Sequence, residues 1–447
     1  PDDSSANGQK NYTYTGKGGV PVGNIFNKLL FAIKYQEQRI LLSNLINKDS
    51  KIIFDRNPRD RVAKVAPWLT LDGDPYPAIV DGRIQWIIDG YTTSSSYPYS
   101  QTTALASATT DALTVNSTSV TAQANRNLNY IRNSVKATVD AYDGTVTLYQ
   151  WDEKDPVLAT WMKVFPGSIT PKSEMSAELL SHVRYPADMF RVQRDVLSSY
   201  HVQTAGAFYG GQDFWRVPRD PSTFGGNAAA QPPYYMTVQM PGSNRPTFSL
   251  TTPFVPRGGR ENLSSFAVAN SDVGPNYGKI TVLQLPRSTN VAGPSQVASN
   301  FEAKPEVANS LSLLRQGGSD VVLGSLLTLP VGGGLLYVQP VYVRATSNAA
   351  AYPLLQKVLV SFGDQIGFDG TLKGALDQVF GGNSGTQSGG GDVDSGGSSS
   401  DVSSAIASAI AAYKDGLAAL AKGDFAAYDS AQKRLKSALD SAANAEK

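Results

Sequence analysis

The chain has 447 residues and a formal net charge of +1; 41% of the residues are hydrophobic and only 17% are charged. Its 39 basic residues are scattered, so no Lys/Arg run marks a nucleic-acid groove or an anionic membrane surface, and nucleic acid is set aside as a partner. There is no Cys, which excludes disulfides, thiolate zinc sites and cysteine nucleophiles together.

A charged fraction below the usual ~25% leaves the polar surface to Ser, Thr, Asn, Gln, Tyr and Gly. With 21 Tyr and 26 Pro, that balance favours a strand- and loop-rich exported protein. Pro stands first, without Met, so the chain is expected to be processed or cut from a longer protein. No apolar run reaches the ~18 residues of a transmembrane helix, and no signal peptide is visible. The nearest candidate, residues 25–46, is broken by Lys28, Lys34, Glu37 and Arg39.

In chain order, a polar arm (1–19) precedes a helix expected over about 22–47. Phe26, Leu29, Leu30 and Ile33 recur at helical spacing, Leu41 and Leu45 continue the stripe, and its apolar face should pack on a core. NPRDRVAKVAP predicts a short helix with Asn57 as N-cap, Pro58 at the first position and Pro67 beyond the end. The period then changes to two. PAIVDGRIQWIIDGYT reads as a hairpin about Asp81-Gly82, and a second one follows about Asp143-Gly144. Between them, residues 99–127 are rich in Ser, Thr and Ala and read as a long excursion or mobile loop. Two Asp-Gly hairpins also raise a propeller-like repeat, but a propeller takes about four blades or more.

Helical patterns return at 156–163 and over 176–202, where Pro186 interrupts and Met189, Val192, Val196 and Tyr200 form one stripe. Strands are expected at YYMTVQM, FSLTTPFV, SFAVAN, KITVLQLP, LLTLP, GLLYVQPVYVRA and KVLVSF, and a helix over 371–380. The fold class is therefore α+β with a large β component over residues 1–380. GGNSGTQSGGGDVDSGGSSS (381–400) is a Gly/Ser linker, and 401–447 reads as a helical hairpin.

Little in this text points to catalysis. In SVKATVDAYDGTVTLYQWDEKDP (134–156) the five carboxylates have separate structural accounts. Asp143 supplies a turn, and Asp152, Glu153 and Asp155 stand where a Pro-started helix begins, an end that favours acidic groups. Asp140 is the residue least accounted for. His182 and His201 are the only histidines and show no HExxH or HxH spacing. No GxSxG elbow occurs, GKGGVPVG lacks P-loop spacing, and neither DGDP nor GGGDVDSGG completes a calcium loop. No catalytic residue, metal or cofactor is assigned. The aromatic loops are the remaining candidate. WIIDGYTTSSSYPYS (86–100) and FYGGQDFWRVPRDP (208–221) set aromatics among Gly, Pro and Ser, where they can stack on sugars or meet a partner. Trp86, Tyr91, Tyr97, Tyr99, Phe214 and Trp215, together with Asp140, form the candidate ligand or partner surface, with core packing as the competing account.

Several stretches resemble a known family: APWLTLDGDPYPAIVDGRIQWIIDGYTTSSSYPYS, NYIRNSVKATVDAYDGTVTLYQWDEKDPV, RYPADMFRVQRDVLSSYHV and GSLLTLPVGGGLLYVQPVYV, with KGDFAAYDSAQKRLKSAL in the tail. The resemblance is to uncharacterised protein family UPF0182, large multi-pass actinobacterial membrane proteins, and it spans nearly the whole chain. It implies the extracytoplasmic portion of a cell-envelope membrane protein, with its own transmembrane region outside this sequence. A ligand- or partner-binding or assembly module is the function expected, with an envelope lipid or glycan, or a second copy, as partner. The alternative is an envelope enzyme or transporter domain acting on glycan or lipid. The family brings no reaction and no catalytic residues to map.

Overall fold

The computed structural model describes residues 14–112, 120–223, 229–286, 288–316, 318–346, 352–382 and 384, with 408, 412, 415, 427 and 430–437 of the tail. The fold is α+β, as the alternation of periods implies. At its start β1 (Val20–Pro21) pairs with β2 (Lys51–Ile52), and between them lie α1 (Ile25–Tyr35) and α2 (Arg39–Leu42). The continuous helix expected over 22–47 is thus interrupted. Gln36 adopts a left-handed conformation (φ 52°) that closes α1, and Ser43 ends α2 in extended geometry. The expected packing is also overturned. Phe26, Leu29, Leu30 and Ile33 are between 44% and 66% exposed, because α1 rests on the body through Phe31, which packs against Phe54.

The next helix, α3 (Pro58–Val65), forms where its caps place it. Asn57 Oδ1 accepts from the backbone N–H of Arg59 and Asp60, and Pro58 occupies the first turn, where its missing N–H costs nothing.

Three five-stranded antiparallel sheets follow, and they share one wiring. In the first, β3 (Thr70–Leu71) and β4 (Tyr76–Val80) lie end to end along one edge of β5 (Arg83–Ser94). Asp81-Gly82 makes the β4–β5 turn with φ of 49° and 74°, the left-handed pair of a two-residue hairpin. The segment read as a long excursion or mobile loop is an excursion partly built into the fold. It carries a small ribbon of β6 (Thr103–Ala104) and β7 (Asn127–Leu128) and the short α4 (Leu105–Ala108), and it buries Leu105, Asp111 and Gln123. Then β8 (Tyr130–Asp140) pairs with the other side of β5, and β9 (Val146–Gln150) completes the sheet.

After α5 (Pro156–Val164), α6 (Ala177–His182), α7 (Ala187–Tyr200) and α8 (Ala205–Gly210), the wiring repeats. β10 (Trp215–Arg216) and β11 (Tyr234–Val238) share an edge of β12 (Thr247–Pro256), followed by β13 (Ser265–Asn270) and β14 (Ile280–Gln284). Helices α9 (Pro294–Ala303) and α10 (Pro305–Leu314) lead into the third copy. There β15 (Ser319–Leu323) and β16 (Leu327–Val331) share an edge of β17 (Gly334–Ala345), then β18 (Leu354–Phe362) and β19 (Gln365–Asp369) follow, and α11 (Leu372–Phe380) closes the unit. Gly332-Gly333 joins β16 to β17 with φ of 56° and 79°, the same turn at the same place as Asp81-Gly82. The repeat is therefore threefold among the described residues, where the sequence suggested two hairpins.

Alternation explains how each sheet is covered. In the third, Leu335, Tyr337, Val341 and Leu359 face Val297, Phe301, Val307 and Leu311 of α9 and α10. Their neighbours Leu336, Val358 and Val360 face Ala375, Leu376 and Val379 of α11. The first sheet packs Ile88, Val135, Val139 and Leu148 against Val62 and Leu158 of α3 and α5. Tyr91, Tyr185, Phe190, Leu250 and Ala269 join the first sheet, the start of α7 and the second sheet in one cluster.

The chain divides into two compact units, Pro1–Ser384 and Gly385–Lys447. Residues 385–400 of the expected linker, and much of the expected hairpin, lie outside the described residues. In the second unit the described residues are helical, Ala412 and Ala431 are buried, and Arg434 Nη2 stands 3.0 Å from Asp415 Oδ2.

Candidate functional site

Asp140 ends β8, and its carboxylate is fully engaged. Arg83 holds both oxygens, with Nε 2.8 Å from Oδ2 and Nη2 2.9 Å from Oδ1. Gln85 Nε2 donates to Oδ2 at 3.0 Å, and the N–H groups of Tyr142 and Asp143 donate to Oδ1 at 2.8 and 3.0 Å. Such a carboxylate locks a turn and has no free lone pair to act as base. Asp155, in the same stretch, is the N-cap of α5. It is buried and accepts from the N–H groups of Val157 and Leu158, from Thr92 and Ser134 at 2.6 Å each, and from Tyr130 at 2.6 Å. Burial alone would raise its pKa; the hydrogen bonds from Ser134, Thr92 and Tyr130 outweigh that and hold it below the usual carboxylate range.

A second polar cluster lies buried near the junction of the first two sheets. The Tyr91 hydroxyl donates to Asp72 Oδ2 at 2.5 Å, and the Asp188 N–H donates to the same oxygen at 3.1 Å. Asp188 in turn accepts from the Gly73 N–H and from Gln123 Nε2, and pairs with Arg191 Nη1 at 3.0 Å. Arg191 and Arg194 both reach Asp111 of the segment after α4, at 3.2 and 2.6 Å. Burial, then the Asp188 and Asp89 carboxylates, push Asp72 up to about 7. Nearby, Lys136 is fully buried on Asp89, and burial lowers its pKa against the pull of that carboxylate. These charges tie α7 and the 105–126 segment to the first sheet. His201 is structural as well: its ring nitrogens face the carbonyls of Leu197 and Asp213, and it stacks on Trp215. Among the described residues no group of three or more His, Asp or Glu side chains could hold a metal ion.

An open groove of about 820 Å³ beside the exposed second half of α7 gathers a concentration of aromatic side chains. One wall carries Tyr97 and Tyr130, stacked with centroids 6.0 Å apart, with Tyr99 at the lip in a left-handed conformation (φ 56°). The opposite wall carries Tyr200, Phe208 and Phe214, linked by ring contacts at 5.0 and 5.5 Å. Arg257 lies over the Phe214 ring at 4.8 Å and donates to Ser199 Oγ at 3.2 Å. Asp195 lines the floor, and burial raises its carboxyl above the ordinary value despite Arg194 and Arg257. Asn129 pins the first wall by exchanging hydrogen bonds with the Tyr97 backbone in both directions. Groups like these offer flat apolar faces beside directional donors and acceptors.

The groove gathers Tyr97, Tyr99 and Phe214 of the expected surface and leaves out the others. Tyr91 and Trp215 are corrected: Tyr91 is completely buried on Asp72, and Trp215 is buried between His201 and Phe254. Loop composition misplaced them, because both sit on strands whose inward face is fixed by pairing. Trp86 is half-buried against the core of the first sheet, and Asp140 is the turn lock already described. Tyr130, Arg257 and Asp195 join the groove without having been expected there. Of the stripe Met189, Val192, Val196 and Tyr200 on α7, Met189 is buried in the cluster that joins the first two sheets, while the other three line the groove.

Fold and groove together define an α+β protein of three like-wired antiparallel sheets with an aromatic groove on its surface. The chain belongs to the uncharacterised protein family UPF0182, whose profile matches residues 1–314. It is 51% identical to a UPF0182 protein of Arthrobacter sp. (strain FB24) over 474 aligned positions, covering 100% of this chain and 47% of that protein. A UPF0182 protein of Thermobifida fusca (strain YX) is 54% identical over 442 positions, covering 97% of this chain and 43% of the relative. One from Paenarthrobacter aurescens (strain TC1) is 50% identical, with 98% and 46% covered. The chain thus spans just under half the length of these curated relatives. No solved structure matches it. No helix among the described residues is long and apolar enough to cross a membrane.

Proposed function

We propose that the chain is a binding module of an actinobacterial cell-envelope protein, acting on the extracytoplasmic face of the membrane, and that its groove takes a glycan. The observation that carries this reading is the convergence of six aromatic side chains from three separate stretches on one open groove, with Arg257 and Asp195 among them. Sugar rings present C–H faces that stack on aromatic rings and hydroxyls that need both donors and acceptors, and this groove supplies both. A lipid tail would favour a closed, uniformly apolar cavity, which an open groove with a cation and a carboxylate is not. The absence of Cys from 447 residues and the topology implied by the family resemblance support the extracytoplasmic side. Asp140, fully bonded, lends no support to the enzyme alternative.

Calorimetric titration of the purified chain with soluble fragments of actinobacterial envelope polysaccharide tests the reading. Saturable binding is expected, weakened about tenfold by Phe214→Ala, the order of one lost aromatic stack. Tyr209→Ala, an exposed aromatic outside the groove, should leave it unchanged. Absence of binding, or equal loss in both variants, overturns the proposal.

A further inference from the structure

The α1–α2 segment leaves its apolar side uncovered. Ile25, Phe26, Leu29, Leu30 and Ile33 recur at positions i, i+1, i+4, i+5 and i+8, and every one is at least 44% exposed. Beyond the turn at Gln36 the patch continues through Leu42 and Leu45, which are 74% and 63% exposed. Contiguous exposure on this scale marks an interaction surface.

Charge selects among the possible occupants. Residues 25–53 hold five basic side chains against two acidic ones, a net +3 in a chain whose total is +1. No acidic residue lies in α1, and Lys28 and Lys34 stand on either flank of its apolar arc. Among the described residues Lys28, Lys34, Lys48 and Lys51 have no carboxylate within ion-pair distance. Lys28 and Lys51 instead reach backbone carbonyls, and Lys34 lies over the Phe54 ring.

We infer that this face docks on an anionic lipid surface, with α1 lying in the interfacial plane. At 11 residues α1 is too short to span a bilayer but long enough to bury one apolar face among headgroups. Lys28 and Lys34, at the edges of that face, supply the positive charge that anionic headgroups would meet. A second copy seated on the same face would bring two +3 segments together, whereas an anionic surface attracts them. The inference is independent of the groove and of its ligand.

The test is flotation of the full chain with phosphatidylglycerol/phosphatidylcholine vesicles, with phosphatidylcholine vesicles alone, and at low and high salt. The expected result is binding to the anionic vesicles that high salt weakens, with little binding to neutral ones. Leu30→Asp with Ile33→Asp should abolish it while leaving the melting temperature unchanged, since both side chains are exposed. Lys28→Gln with Lys34→Gln should reduce it by about fivefold per lysine. Failure to float, or flotation untouched by the aspartates, overturns the inference. So does a dimer, detected by sedimentation without vesicles, that the same aspartates dissolve.

Discussion

Asp72 and Asp140 are both carboxylates at the ends of first-sheet elements, and their surroundings send them opposite ways. Asp140 is tied to Arg83 and three further donors, so it serves as the lock of its turn. Asp72 is buried beside Asp188, and the fold favours a proton on that pair. An ordinary Asp titrates near ~3.9 and Asp72 at about 7, so the folded chain holds more protons than the unfolded chain between those values. The resulting stability is complete below about pH 4 and is lost as pH rises towards 7, at up to about 1.4 kcal/mol per pH unit. Asp72→Asn is always neutral and keeps an oxygen for Tyr91 to donate to. Its melting temperature, measured relative to wild type, should therefore rise steadily from pH 4 to 7. A difference that stays constant across that window would show that the pair does not hold the proton.

The elements form where local chemistry agrees with tertiary packing, and α5 shows the two coupled. Pro156 starts it and Asp155 caps it, both legible in DEKDP, but the same carboxylate also anchors Thr92, Ser134 and Tyr130 of the first sheet. Asp155→Ala removes a cap worth ~1–2 kcal/mol and strands buried hydroxyls as well, so a loss of about 2–4 kcal/mol is expected in urea unfolding. A loss below about 1 kcal/mol would mean that the cap acts alone. In α1 the two influences part company. Its apolar spacing was read as a core stripe, yet periodicity reports only that one face differs from the other. Nothing in residues 25–45 states whether protein or another medium lies against that face.

For the whole molecule the threefold wiring is the governing fact. Asp81-Gly82 and Gly332-Gly333 are the same turn in the first and third sheets. Only the Asp-Gly version stood out in the text; the glycines between LLTLP and GLLYVQPVYVRA carried no turn assignment. Helices α9 and α10 went unread because each is ten residues long and has its apolar face defined only by stacking on the third sheet, and β15 and β19 because each is a five-residue strand completed by pairing with β17 or β18. Among the described residues, the seven apolar clusters all draw on residues before Ser384. A chain ending at Ser384 should therefore melt at the same temperature as the full one. A lowered midpoint in scanning calorimetry would show that the second unit contributes to the first.

The sequence by itself determined the α+β class, the hairpin turns, the helix caps and the family. Each of these is written in residues a few positions apart, where φ preferences and side-chain-to-backbone hydrogen bonds act directly. Only the tertiary structure decided which aromatics face solvent, that Asp72 and Asp188 share one site, and that α1 turns its apolar side outward. Those outcomes depend on contacts between residues such as Tyr97 and Phe214, or Asp72 and Asp188, more than a hundred positions apart. Burial is a property of what folds back onto a residue, and no local pattern in the chain encodes it.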